Sequence, residues 1–275
     1  MFSIYHFFAY LLHNRRRLQF VPNLTDFPFP SDPLSFRGKG GFPTLALRFN
    51  PGGDPPGGEL LGLKDSSSYS ISTFQSHIPA GAISIDSLGN EKANEIYESM
   101  NAAGEDAKSM PIREVFYLIR GQRQCYTKLC LIHGNFFETA NTEEVVQFVL
   151  GQVFADCLIE DERSIRPEHL DSLSRALAHE VLSNQYRSVK NASVAFRLQV
   201  EADVIEKTNI LNPDYFPAIR DDTISFIIPY SMDIDFRQRR RYLKSLLTQE
   251  EWTAGRKMVI THPFNGDFFV LSYAL

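Results

Sequence analysis

The stretch from Pro43 to Asp65 constrains the fold most. In PTLALRFN, Leu45, Leu47 and Phe49 alternate with Thr44, Ala46, Arg48 and Asn50, which is the period of a half-buried strand. PGGDPPGG follows, rich in residues that suit a sharp reversal. ELLGLKD then returns as a second strand, so the pair reads as a β-hairpin. On the returning strand Leu60, Gly62 and Lys64 share one side, and Glu59, Leu61 and Leu63 share the other. The expectation is a greasy face and a sparse polar face that carries Lys64. A lysine ending a core strand often only snorkels to water. Spacing alone weighs that reading evenly against a chemical one.

Other segments fill in a mixed architecture. EKANEIYESMNAAGED reads as a helix over 91–104, with Ala93, Ile96, Tyr97 and Met100 on one face. REVFYLIRG and YTKLCLIHG are apolar strands across a short polar turn. Helices are expected over 142–158, where Asn141 and Glu144 suggest a capping box, and over 166–187. SVAFRLQVEADV alternates as a strand, and TISFIIPY is a short buried one. Residues 236–255 read as helical, with Thr248 and Glu251 as a further capping box. Asn265-Gly266 between two apolar runs marks a second hairpin. Residues 21–41 read as loop. Strands and helices are mixed without strict alternation, so an α/β or α+β domain fits better than a doubly wound fold.

The 275 residues, 43% hydrophobic and 22% charged, suit a globular chain with a sizeable core. The net charge of −5 gives no global attraction to nucleic acid, so any such binding needs local basic patches. Three cysteines, Cys125, Cys130 and Cys157, argue against a disulfide framework and suit a cytoplasmic protein. Cys125 and Cys130 read as small buried apolar residues on opposite faces of a hairpin. The opening MFSIYHFFAYLLHNRRR has an apolar run of about eleven residues, too short to span a bilayer, and its charges follow that run instead of preceding it. A short buried helix is expected there and no membrane partner.

FPTLALRFN, the glycine-rich turn and GELLGLKDSSSYSISTF resemble the catalytic hairpin of type II restriction endonucleases of the PD-(D/E)XK superfamily. In that pattern a Pro-Asp opens one strand, and an acid, any residue and a lysine end the next. The resemblance is specific across this hairpin and only general elsewhere. It implies an α/β fold with a restriction-endonuclease-like mixed central sheet flanked by helices. It also implies a single nuclease-like domain over 21–275 preceded by an N-terminal segment, 1–20. The implied activity is Mg²⁺-dependent, sequence-specific cleavage of double-stranded DNA by a homodimer. Lys64 matches the family lysine. Thr44 stands where the Asp of Pro-Asp belongs, and Gly62 stands where the acid before the lysine belongs. Gly62 leaves room for a carboxylate. The replacement acids considered are Asp54 in the turn, Glu59 and Asp65 on the strand, and Glu91 or Glu95 on the following helix. Catalysis is therefore assigned to Lys64, Asp54 and Asp65, with Asp54, Glu59 and Asp65 as metal ligands. The alternative is a catalytically inactive nuclease-fold protein that binds DNA or a protein partner. A third reading is an interaction protein with no nucleic-acid role.

RQRRRYLK, residues 237–244, packs four arginines and a lysine into eight residues. Arg239, Arg240, Arg241 and Lys244 are the candidate phosphate contacts, set against a merely solvated helix face. RGQRQCYTK, residues 120–128, is a second basic turn with the same two readings. His133 and His262 end apolar strands and read as packed or capping histidines. Glu201, Asp203 and Arg197 read as a structural charge cluster. His179-Glu180 lacks the second histidine of a zinc-protease motif. Asn191-Ala192-Ser193 fits a glycosylation sequon, relevant only in a secreted protein. Neither a phosphate-cradling Gly-Lys-Ser/Thr loop nor a serine elbow is present.

Overall fold

The computed structural model describes residues 3–75, 77–138 and 201–275, and element labels number the described elements in chain order. The strands are β1 (Leu34–Arg37), β2 (Leu45–Leu47), β3 (Leu60–Ser66), β4 (Thr73–Gln75), β5 (Ala82–Ser84), β6 (Ile112–Arg123), β7 (Tyr126–His133), β8 (Glu201–Asp203), β9 (Thr223–Pro229), β10 (Arg256–His262) and β11 (Gly266–Ala274). The helices are α1 (Ile4–His13), α2 (Arg15–Phe20), α3 (Asn90–Ala102), α4 (Ile234–Ser245) and α5 (Gln249–Ala254).

A mixed sheet in the order β1-β2-β3-β6-β7-β9-β11-β10 forms the spine, with β5 paired to one end of β6. The β2–β3 hairpin is antiparallel, with Leu45 opposite Leu61 and Ala46 opposite Leu60. Strand β3 runs parallel to β6 on its other side, from Leu60 opposite Val115 to Ser66 opposite Gly121. The β6–β7 and β10–β11 hairpins are antiparallel, as their sequence patterns indicate. Strands β4 and β8 make a separate two-stranded ribbon.

The sheet is covered on both sides, which is why its central strands are apolar at nearly every position. One core gathers Leu61, Phe116, Leu118, Leu131 and Phe226 under Phe8 and Leu11 of α1 and Phe236 and Leu243 of α4. The other gathers Leu60, Tyr117, Ile119, Ile132 and Val270 with Ile96 and Met100 of α3. The parity read from the sequence holds, but the contrast of a greasy and a sparse polar face does not. Lys64 stands on a face that is a second hydrophobic core.

The opening apolar run is the buried helix α1, with Phe8 and Leu11 fully buried. Arg120, itself buried in the sheet, donates to the carbonyls of Leu18, Val21 and Pro22 and pins the chain after α1 to β6. Residues 21–41 are not all loop: Leu34 and Phe36 are buried in the edge strand β1. The helix expected over 236–255 is two helices. Thr248 caps α5 with the expected box, accepting from Glu251 N while the Glu251 carboxylate accepts from Thr248 N, and this restart ends α4. No helix among the described residues is long and apolar enough to cross a membrane. The helices expected over 142–158 and 166–187, the strand starting at Ser193, and Cys157, His179, Glu180, Asn191 and Arg197 lie outside the described residues.

Candidate functional site

The hairpin face that carries Lys64 is filled with aromatic rings. Lys64 Nζ donates to the Thr73 carbonyl at 2.6 Å and lies 4.4 Å from the centroid of the Phe74 ring. Burial lowers its pKa from the ordinary lysine value. Gly62, two residues back, does not leave room for a carboxylate: a Cβ there would stand 2.8 Å from Tyr117 Cδ1 and 3.3 Å from Phe42 Cδ2. Phe42 stacks on His77 at 3.9 Å, and His77 Nε2 shares a 2.7 Å hydrogen bond with the Tyr117 hydroxyl. Thr44 Oγ1 accepts from Leu63 N at 3.3 Å, so this side chain ties the hairpin together. The three positions of the family motif are thus adjacent, but what surrounds them is a packed core.

The replacement acids do not join Lys64. Asp65 points to the opposite face, where Oδ1 accepts from Arg120 Nε at 2.7 Å and Oδ2 from Leu24 N at 2.9 Å. Both oxygens serve to hold a buried arginine and the chain after α2, so the assignment of Asp65 to catalysis and metal binding is corrected. Glu91 and Glu95 are exposed, because α3 turns Ala93, Ile96 and Met100 inward. Glu59 is also on the face away from Lys64 and five residues along the strand, roughly 16 Å at the usual rise.

Glu59 and Asp54 instead line a cleft of about 620 Å³ where the 54–57 turn, the start of α1, Glu114 of β6 and one side of α4 meet. Glu59 is 5% exposed. Its Oε1 accepts from Ile4 N at 3.1 Å, and its buried Oε2 has no hydrogen-bond partner among the described residues. Burial raises its pKa to about 7; the Ile4 N–H and Arg239 pull it down and Glu114 pushes it up. Arg239 holds both oxygens of Glu114, at 3.0 and 3.4 Å, and Asp235 at 2.9 Å. It is therefore ion-paired within the protein, unlike the other cations of α4 assigned as phosphate contacts. Glu114 was not singled out from the sequence. Its signal was an acid in phase with the buried Phe116 and Leu118.

The remaining cations of α4 are placed differently. Arg240, Arg241 and Lys244 are exposed, and no ion pair with them exists among the described residues. Arg240 lies over the rings of Trp252 and Phe269, at 6.0 and 5.6 Å. Lys257 lies 4.7 Å from the Trp252 centroid, and burial together with repulsion from Arg240 and Lys244 lowers its pKa. The second basic turn is not such a surface: Arg120 and Lys128 are each 1% exposed, and Lys128 donates to the Leu211 carbonyl.

His133 and His262 cap turns, as expected. His133 Nδ1 accepts from Asn135 N, and His262 Nδ1 from Phe264 N and Asn265 N. Cys130 is buried, whereas Cys125 sits exposed in the β6–β7 turn.

No protein-family model, curated protein or solved structure matches the chain. The described residues do not fit the Mg²⁺ that the nuclease resemblance implies. That ion needs several oxygen ligands at once. Among the described residues no three His, Cys, Asp or Glu side chains gather to hold a metal. The free oxygen of Glu59 and the ammonium of Lys64 lie on opposite sides of the sheet.

Proposed function

We propose that the protein is a DNA-binding protein of the restriction-nuclease type, which holds duplex DNA through α4 and does not cleave it at the hairpin. The observation that carries this reading is the division of charge. The hairpin lysine is half-buried against an aromatic ring and its parity sets it away from Glu59 and Asp65, whereas Arg240, Arg241 and Lys244 face solvent without an ion pair among the described residues, beside Lys257. The antiparallel β2–β3 pairing and the place of Lys64 at the strand end support the nuclease resemblance. The spacing 237–240–244 sets one stripe of a helix, with Arg241 next to it, so a phosphate backbone can run along α4. A two-fold dimer on a symmetric duplex site belongs to the same proposal.

The test is the salt dependence of duplex binding. Each phosphate contact releases counterions, so wild-type affinity should fall steeply as salt rises. Replacing Arg240, Arg241 and Lys244 together with alanine should reduce the slope of log affinity against log salt by about 3. An unchanged slope would make α4 a solvated face and remove the proposal.

A further inference from the structure

We propose that Trp252 is a positioning residue for DNA binding: its indole, together with the Phe269 ring, holds the Arg240 guanidinium in place on α4 for a phosphate. This inference rests on the DNA-binding reading of α4 and goes beyond it, since it makes the contact depend on a residue without charge. Among the described residues Arg240 forms no ion pair with an acid. Its guanidinium carbon lies instead 6.0 Å from the Trp252 centroid and 5.6 Å from the Phe269 centroid. A planar guanidinium can lie against rings and keep its edge donors for a phosphate, which suits an arginine better than a lysine.

Both rings are themselves held. Phe269 of β11 is 4% exposed and meets the Phe236 ring edge-on. Trp252 is half-buried in α5, which is fastened at both ends. The Thr248–Glu251 box starts the helix, and Trp252 N donates to the Thr248 carbonyl at 2.8 Å. Beyond its end, Lys257 Nζ from β10 donates to the carbonyls of Trp252 and Gly255. An arginine resting on such fixed rings has less freedom left to lose when a phosphate arrives.

Charge points the same way. Lys257 stands 4.7 Å from the same indole centroid. Burial, and then repulsion from Arg240 and Lys244, lowers its pKa, so the three cations stand close enough to oppose one another. No ion pair with a described residue offsets that repulsion. An anion arriving among them relieves it, and a phosphate running along the α4 stripe supplies one. The rings keep Arg240 on the stripe against the push of its neighbours.

The experiment is a double-mutant cycle on affinity for duplex DNA at one low salt concentration. Trp252→Leu should weaken binding roughly fivefold, because the freed arginine must then be ordered by the DNA. The same change in an Arg240→Ala background should leave affinity unaltered, and Trp252→Phe, which keeps a ring, should recover most of the loss. Arg240→Lys is a check on an exposed residue: it retains the charge and so the salt slope, yet should lose affinity by a similar factor. A neutral Trp252→Leu, an equal loss with alanine at 240, no recovery in Trp252→Phe, or wild-type affinity in Arg240→Lys would overturn the proposal. The two readings fail separately. An unchanged slope in the alanine triple variant of α4 removes DNA binding by this helix, whereas a reduced slope with a neutral Trp252→Leu removes only the role of Trp252.

Discussion

Glu59 is a carboxyl whose folded-state pKa lies above its unfolded value, near 7 against 4.5. The folded state therefore keeps a proton that the unfolded chain has lost. The stability this gives is complete below pH 4.5 and disappears as pH rises through 7. The shift corresponds to roughly 3 kcal/mol. His133 acts at the other end: burial holds its imidazole neutral down to about pH 4, so its contribution is present above the usual histidine range and is lost on acidification. Glu59→Gln should remove the alkaline loss, so that urea unfolding of the variant differs little between pH 5 and pH 8 in this component while the wild type weakens. A wild type and variant that weaken in parallel would show that Glu59 ionises freely. The parity of Glu59, legible from strand alternation alone, placed it away from Lys64. It did not show Glu114 and Arg239 beside it, because those contacts join residues far apart along the chain.

At the scale of elements, the hairpins were legible and the cover over them was not. Alternation and a glycine-rich turn are local signals, and β2–β3, β6–β7 and β10–β11 follow them. What fills the space beyond Gly62 is set by β6, which approaches from about 55 residues away and places Tyr117 opposite Gly62 in the parallel pair. The same limit explains β1, whose four residues are too short for a periodic signal, and the break between α4 and α5, where a cap outweighs continuous helical character. Gly62 is then a packing requirement of the β3–β6 pair, not a vacated acid position with room to refill. Gly62→Ala should cost about 1–3 kcal/mol through overpacking against the Tyr117 ring. Adding Tyr117→Ala should make the alanine at 62 cheaper than it is in the wild-type background, as a double-mutant cycle would read. Full additivity would mean that the ring and the glycine do not constrain each other.

For the whole molecule, the sheet is a partition. On one side lie the aromatic cluster, His77 and Lys64. On the other lie α1, the cleft lined by Glu59 and Asp54, and the basic helix α4. Acids and lysine that are neighbours in sequence end on different sides because strand parity alternates; a register slip would flip them together, so only a bulge between them would bring them to one face. In the proposed function, holding DNA is separate from cutting it. The most direct test incubates the wild-type protein with mixed plasmid and phage DNA in Mg²⁺ or Mn²⁺ at low salt, and follows binding and cleavage in the same samples. Retarded, intact DNA is expected in wild type and in Lys64→Ala alike. Discrete fragments from wild type that vanish in Lys64→Ala would contradict it, since they would place a working nuclease site on the face described here as packed core.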